Sequence, residues 1–257
     1  MKYLKLFENF EFEDWELVSK SPYELRDILT AEIESFKPDM KLIEKILETG
    51  SADINGLTEF NSSPLLASAS SGNLRIAKML LEAGADINIK DEDGRTPLMW
   101  AIVYEEYQMV KFLLENGASV HDKDKELRYP LHWAVHSTDD ESFAEILLKH
   151  GADPNVEDNQ LDTPLMSAVL NERLDTVKVL LKNGANPNVQ DENGWTPLHQ
   201  AVYEGFVKIV KVLLENNADM TIENNRGHDV MYIANELASE RDREELISLL
   251  EKYKESK

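Results

Sequence analysis

Asp191-Glu192-Asn193-Gly194-Trp195-Thr196-Pro197-Leu198-His199-Gln200-Ala201 is the stretch from which the rest of the chain can be read. Thr before Pro is a helix start. The hydroxyl caps the free backbone donors of the first turn, and Pro fits there because its fixed φ is helical and its missing N–H would have had no partner. The same position recurs as Ser63, Thr96, Tyr129, Thr163, Thr196 and Asp229, in steps of 33, 33, 34, 33 and 33 residues. A period near 33 predicts a stacked array of one supersecondary unit.

After each such start comes a second helix, marked by apolar residues at helical spacing, as in Met109, Val110, Leu113 and Leu114 or Ile209, Val210, Leu213 and Leu214. A Gly-Ala pair follows at Gly84, Gly117, Gly151 and Gly184, where a helix ends in a left-handed residue. The stretch from Ala185 to Gly194 is rich in turn formers and reads as an extended hairpin finger. One repeat is therefore helix, loop, helix, finger. Alone it cannot bury its apolar faces, so neighbours must stack.

The full pattern, Asp191, Gly194, Thr196-Pro197-Leu198-His199, Ala201, Gly205, Leu213-Leu214 and Ala218-Asp219, resembles the ankyrin repeat family, with Asp91 to Asn116 repeating it closely. The resemblance is clear from about residue 58 to 234 and looser at both ends. It implies an all-α-dominated solenoid of helix-loop-helix repeats joined by hairpin fingers. The organisation expected is an N-terminal aromatic and acidic segment over 1–20 and a degenerate first repeat over 21–57. Five repeats then span 58–223, and a capping repeat 224–257.

Composition narrows the chemistry. Among 257 residues, 27 basic side chains stand against 49 acidic ones, a net charge of −22. Such a surface repels nucleic-acid backbones and anionic membranes, and no local basic patch offsets it. The acidity serves either the solubility of a long exposed array or attraction to a basic partner, in the extreme a decoy that blocks a nucleic-acid-binding protein. There is no cysteine, hence no disulfide or thiolate chemistry. With no signal-peptide pattern and no span of membrane length, a cytoplasmic protein is expected.

The ends depart from the repeat. Helices are expected from about Pro22 to Phe36 and Asp39 to Glu48, then Val230 to Leu237 and Glu240 to Tyr253, with Lys254 to Lys257 frayed. Aromatics from Tyr3 to Trp15 among acids form either a lid on the first repeat or a recognition segment.

No catalytic constellation is present: no phosphate loop, no GxSxG elbow, no HExxH, and no cofactor is expected. His132 and His136 lie four apart on one expected helix and could face a metal together. Yet His132 aligns with His199, where the resemblance implies a hydrogen bond between repeats. The chain is read as a binding protein rather than an enzyme.

The resemblance implies that a protein partner meets the finger tips and the exposed side of the first helices, on the concave face. At the variable positions there stand Arg95, Tyr104, Arg128, His136, Trp195 and Tyr203, the candidate partner-binding residues. Tyr, Trp and Arg are the side chains most enriched as interface anchors. Trp195 either contacts the partner or packs on a neighbouring finger, and Trp100 and Trp133 are expected to pack between repeats. Leu127 and Leu161 replace the finger glycine, and Glu105, Thr138 and Glu172 the loop glycine. Those turns are expected to take another shape, with the two leucines buried against each other.

Overall fold

The computed structural model describes residues 15–136, 140–236, 238 and 240–255. The aromatic segment expected to act as lid or recognition element falls, up to Asp14, outside the described residues, as does Thr138 with the extra residue of the 34-residue step. Two compact units divide the chain between Asp122 and Lys123.

The N-terminal unit carries α1 (Trp15–Val18), α2 (Pro22–Glu34), α3 (Met40–Thr49), α4 (Pro64–Ser70), α5 (Leu74–Glu82), α6 (Pro97–Val103) and α7 (Tyr107–Glu115). In the C-terminal unit follow α8 (Pro130–Ala134), α9 (Asp140–Lys149), α10 (Pro164–Leu170), α11 (Leu174–Lys182), α12 (Pro197–Glu204), α13 (Val207–Glu215), α14 (Val230–Glu236) and α15 (Glu240–Glu255). The described residues contain no strand. The finger is instead a tight loop closed by backbone bonds, such as Asp191 N–H to the Trp195 carbonyl and Gly194 N–H to the Asp191 carbonyl, both at 2.9 Å.

Helix starts follow the sequence signal. Ser63, Thr96, Thr163 and Thr196 each accept an N–H from the third residue of the helix they open, with Pro in its first turn. Such a cap contributes about 1 kcal/mol. Tyr129 has no capping oxygen within reach. Its N–H donates instead to His132 Nδ1 at 3.1 Å.

Within each unit, helices of like position stack. First helices run α2 on α4 on α6, and α8 on α10 on α12 on α14; second helices run α5 on α7, and α9 on α11 on α13 on α15. Leu98, Met99, Ala101 and Ile102 of α6 are wholly buried, and so are Met109, Val110 and Leu113 of α7. Burying each large side chain contributes about 1.5–3 kcal/mol. Gly117 and Gly184 end their helices with φ of 92° and 90°.

A signal overlooked in the sequence ties the fingers. Asn55, Asn88, Asn155 and Asn188 stand at matching repeat positions, and each side-chain oxygen accepts an N–H one repeat on, from Asp86, Ser119, Asn186 and Asp219, at 2.7–2.9 Å. Three of them also donate to a helix-end carbonyl, at Gly84, Gly184 and Asn217. The amide clasps two chains that would otherwise leave polar groups unpaired.

Three expectations are corrected. Leu127 and Leu161 do hold the left-handed turn, with φ of 61° and 63°, and so do Glu105 and Glu172 at 59° and 54°. The hydrogen bonds explain it: Asp124 Oδ1 accepts from Glu126 and Arg128 N–H just as Asp91 Oδ1 does from Asp93 and Arg95. The aspartate sets the turn, whichever residue fills the glycine place. Neither leucine is buried; they are 38% and 45% exposed. Lys254 and Glu255 continue α15, whose Leu246 and Leu250 are wholly buried and whose Tyr253 hydroxyl donates to the Leu214 carbonyl. Finally, α8 stops at Ala134, so His136 lies in the turn beyond it and not on the helix of His132.

Candidate partner-binding surface

In the N-terminal unit, the finger and the first helix of one repeat build a single half-exposed stack. Thr96 caps α6, so the residue just before it, Arg95, projects from the finger while Trp100 and Tyr104 follow at one-turn spacing along the helix. The Arg95 guanidinium lies 5.5 Å from the centre of the Trp100 ring, and Trp100 stacks on Tyr104 at 5.7 Å and 23°. Asp91 holds the base of the stack: Oδ1 takes the Arg95 N–H at 2.8 Å, and Oδ2 takes the Trp100 indole N–H at 3.0 Å. Tyr104 remains 53% exposed at the outer end.

The C-terminal unit repeats the motif with different side chains. Arg128 sits 4.1 Å over the Trp133 ring, its Nε bonded to Asp124 Oδ2 at 3.0 Å and its fork paired with Glu126 at 2.8 Å. His136 is exposed beyond the helix, with its pKa lowered by desolvation first and then by the Arg128 and Arg173 charges. Trp195 packs on rings of its own repeat. Its ring meets Tyr203 edge-on at 5.4 Å and His199 at 6.0 Å, leaving Tyr203 44% exposed. The structure thus brings Trp195 together with Tyr203, and Arg95 to Tyr104 through Trp100. Trp100 and Trp133, expected between repeats, each carry the arginine of their own finger.

One residue of this face escaped the sequence reading. His228 stacks on Tyr232 at 3.9 Å, and His228 occupies the same pre-cap position as Arg95, Arg128 and Trp195. Asp162 occupies that position in the repeat between those of Arg128 and Trp195. Its carboxyl is pushed up to about 6, first by loss of solvent and then by Asp158, Asp191 and Glu192. Repeat alignment of the residue before each cap was the signal that could have found His228.

The buried histidines are structural. His199 Nδ1 accepts the Thr196 N–H at 3.1 Å, and Nε2 lies 3.2 Å from the His228 carbonyl one finger on. His132 does the same between Tyr129 and the Asp162 carbonyl. Burial is the main force lowering both pKa values, so each ring is neutral, Nε2–H donating. Both nitrogens of His132 are thereby committed to backbone. Among the described residues no three His, Asp or Glu side chains converge as a metal site would require. No described helix is long and apolar enough to cross a membrane.

A family model described as ankyrin repeats (3 copies) matches residues 33–124, 131–224 and 184–253, well over half of the chain. Among solved structures, the crystal structure of the ankyrin repeat domain of Bcl-3, described as a unique member of the IkappaB protein family, aligns with a TM-score of 0.76. It covers 91% of this chain and 99% of that one at 23% identity. As many as 620 solved chains match, so the likeness fixes the fold and selects no particular partner. No curated protein matches the chain.

Proposed function

Because the chain belongs to the ankyrin repeat family, whose stacked repeats serve as protein-binding scaffolds, we propose that it binds a protein partner through the face formed by finger tips and first helices. The observation that carries this reading is the half-exposed aromatic stack, seen as Arg95-Trp100-Tyr104 in one unit and as Arg128-Trp133 and Trp195-Tyr203 in the other. Folding alone does not ask for large aromatic rings left partly open to water, whereas an interface uses them as anchors. Asp91 already holds the Trp100 indole and Asp124 the Arg128 guanidinium, so less ordering entropy opposes binding at those two stacks.

A photo-crosslinking residue placed at Tyr104 or Tyr203 should capture the partner in the cell of origin. The same residue at Lys178 or Lys208, exposed on the second helices, should not. Capture from the lysine positions alone would place the interface on the opposite side.

The charge favours a second, narrower reading. At −22 the chain would attract a basic protein and could occupy the surface with which that protein holds nucleic acid. Salt separates the two. Decoy binding weakens steeply as ionic strength rises, and aromatic-anchored binding does so only mildly.

A further inference from the structure

The molecule contains its own examples of how it holds a guanidinium. In two fingers the pre-cap arginine lies over a tryptophan ring and beside finger carboxylates: Arg128 on Trp133 with Asp124 and Glu126, and Arg95 on Trp100 with Asp93 at 3.5 Å. Here the second oxygen of the finger aspartate is used as well, Asp124 Oδ2 by Arg128 Nε and Asp91 Oδ2 by the Trp100 indole.

The next two fingers keep the acids but lack the arginine; Ser167 and Gln200 stand where the others have Trp100 and Trp133, and the rings of the second are Trp195 and Tyr203. Asp162 and Trp195 hold the pre-cap positions. Asp158 Oδ1 and Asp191 Oδ1 still order their turns, accepting the Asp162 N–H at 3.0 Å and the Trp195 N–H at 2.7 Å. No donor among the described residues engages Oδ2 of either, and none of Asp158, Asp162, Asp191 and Glu192 has an ion-pair partner there. Burial first, and then the press of these negative charges on one another, make the Asp162 carboxyl hold its proton to about 6. Asp191 anchors the backbone of Trp195, whose ring meets half-exposed Tyr203 edge-on.

We propose that the aromatic pair of Trp195 and Tyr203, with the neighbouring carboxylates of Asp162, Asp191 and Glu192, docks an arginine side chain from a segment of the partner protein, much as Trp100 and Trp133 carry Arg95 and Arg128. This rests on the proposed partner-binding reading and names the chemistry it selects. Charge complementarity commits the occupant: three carboxylates ask for a cation, and the flat indole prefers a planar guanidinium, which stacks and forks, over a compact ammonium.

The probe is a short peptide of alternating glycine and arginine, with lysine and citrulline counterparts, titrated into the full chain while the four tryptophan indole N–H resonances are followed by NMR. The arginine peptide should move the Trp195 resonance saturably and leave Trp100 and Trp133, already covered by their own arginines, nearly still. The lysine peptide should bind about tenfold more weakly and the citrulline peptide not measurably, since a charged hydrogen bond is worth about one decade of affinity. Asp162→Asn and Glu192→Gln should each weaken the arginine peptide by about tenfold with the unfolding midpoint not lowered. Equal binding of arginine and lysine peptides, all indoles moving alike, or no effect of Asp162→Asn would overturn the proposal. If the natural partner still needs Trp195 and Tyr203 in that case, the broader reading stands and only the arginine assignment falls.

Discussion

Asp162 shows how one residue can betray a surface. Its ordinary value of 3.8 is raised to about 6 in the fold by desolvation and by Asp158, Asp191 and Glu192, with neutral His132 at its carbonyl on the other side. A raised carboxyl means the folded state binds more protons than the unfolded one between those values, so stability falls as pH climbs from about 4 to 6 and stays reduced above. Asp162→Asn should therefore raise the unfolding midpoint at pH 7.5 and give no gain near pH 3.5. A gain of the same size at both values would mean the effect is not electrostatic. The leucine turns make a second test. Releasing an L residue from the left-handed region is worth about 1–2 kcal/mol, and the added freedom of an unfolded Gly costs about 0.4–1 kcal/mol. Leu127→Gly and Leu161→Gly should each stabilise by about 0.5 kcal/mol in urea unfolding, and destabilisation would show that the exposed leucines pack after all. From the sequence these turns looked reshaped, because glycine was taken as the cause. In the structure the aspartate three residues earlier dictates the bend, and a side chain pointing to solvent is merely tolerated.

At the scale of the element, the repeat ties that the sequence suggested are present, and their chemistry carries a cost if cut. His199→Phe would leave the Thr196 N–H and the His228 carbonyl without their partner at 3.1 and 3.2 Å. A loss of about 1–3 kcal/mol is expected at pH 7. Because burial lowers the His199 pKa, the wild-type contribution shrinks as pH falls below about 6.5, so the gap between the two proteins should narrow at pH 5. A pH-independent gap would assign the loss to packing. Helix starts were legible from Thr-Pro alone, because capping is local. The end of α8 was not: Val135 and His136 continue a helical pattern, yet the helix closes at Ala134 before the longer step of the repeat. The asparagine clasps were also missed, since Asn in a turn looks like a turn former whatever its side chain does. Only its recurrence one repeat apart, from Asn55 to Asn88 and Asn155 to Asn188, distinguishes a tie from a bend.

For the whole molecule, stability should be carried by neighbouring repeats within each of the two units. Leu180 of α11 is wholly buried in the C-terminal unit. Leu180→Ala should cost about 2–5 kcal/mol, and hydrogen exchange should quicken first in α9, α11 and α13, which pack together. Uniform acceleration across all the described helices would point to a single cooperative block. Binding was legible in the sequence only as an enrichment of Arg, Trp and Tyr at variable positions. That Trp100 and Trp133 belong to the same stacks was hidden, because their place in the pattern is equally suited to burial. The aromatic face is the core of the proposed interface, and affinity for the captured partner tests it most directly. Combined Trp195→Ala and Tyr203→Ala should weaken binding by at least about 30-fold, corresponding to about 2 kcal/mol. Lys178→Ala and Lys208→Ala should change it less than about twofold, as exposed charges far from an interface core do. Undiminished affinity in the aromatic variant, or an equal loss from the lysine variants, would contradict the account.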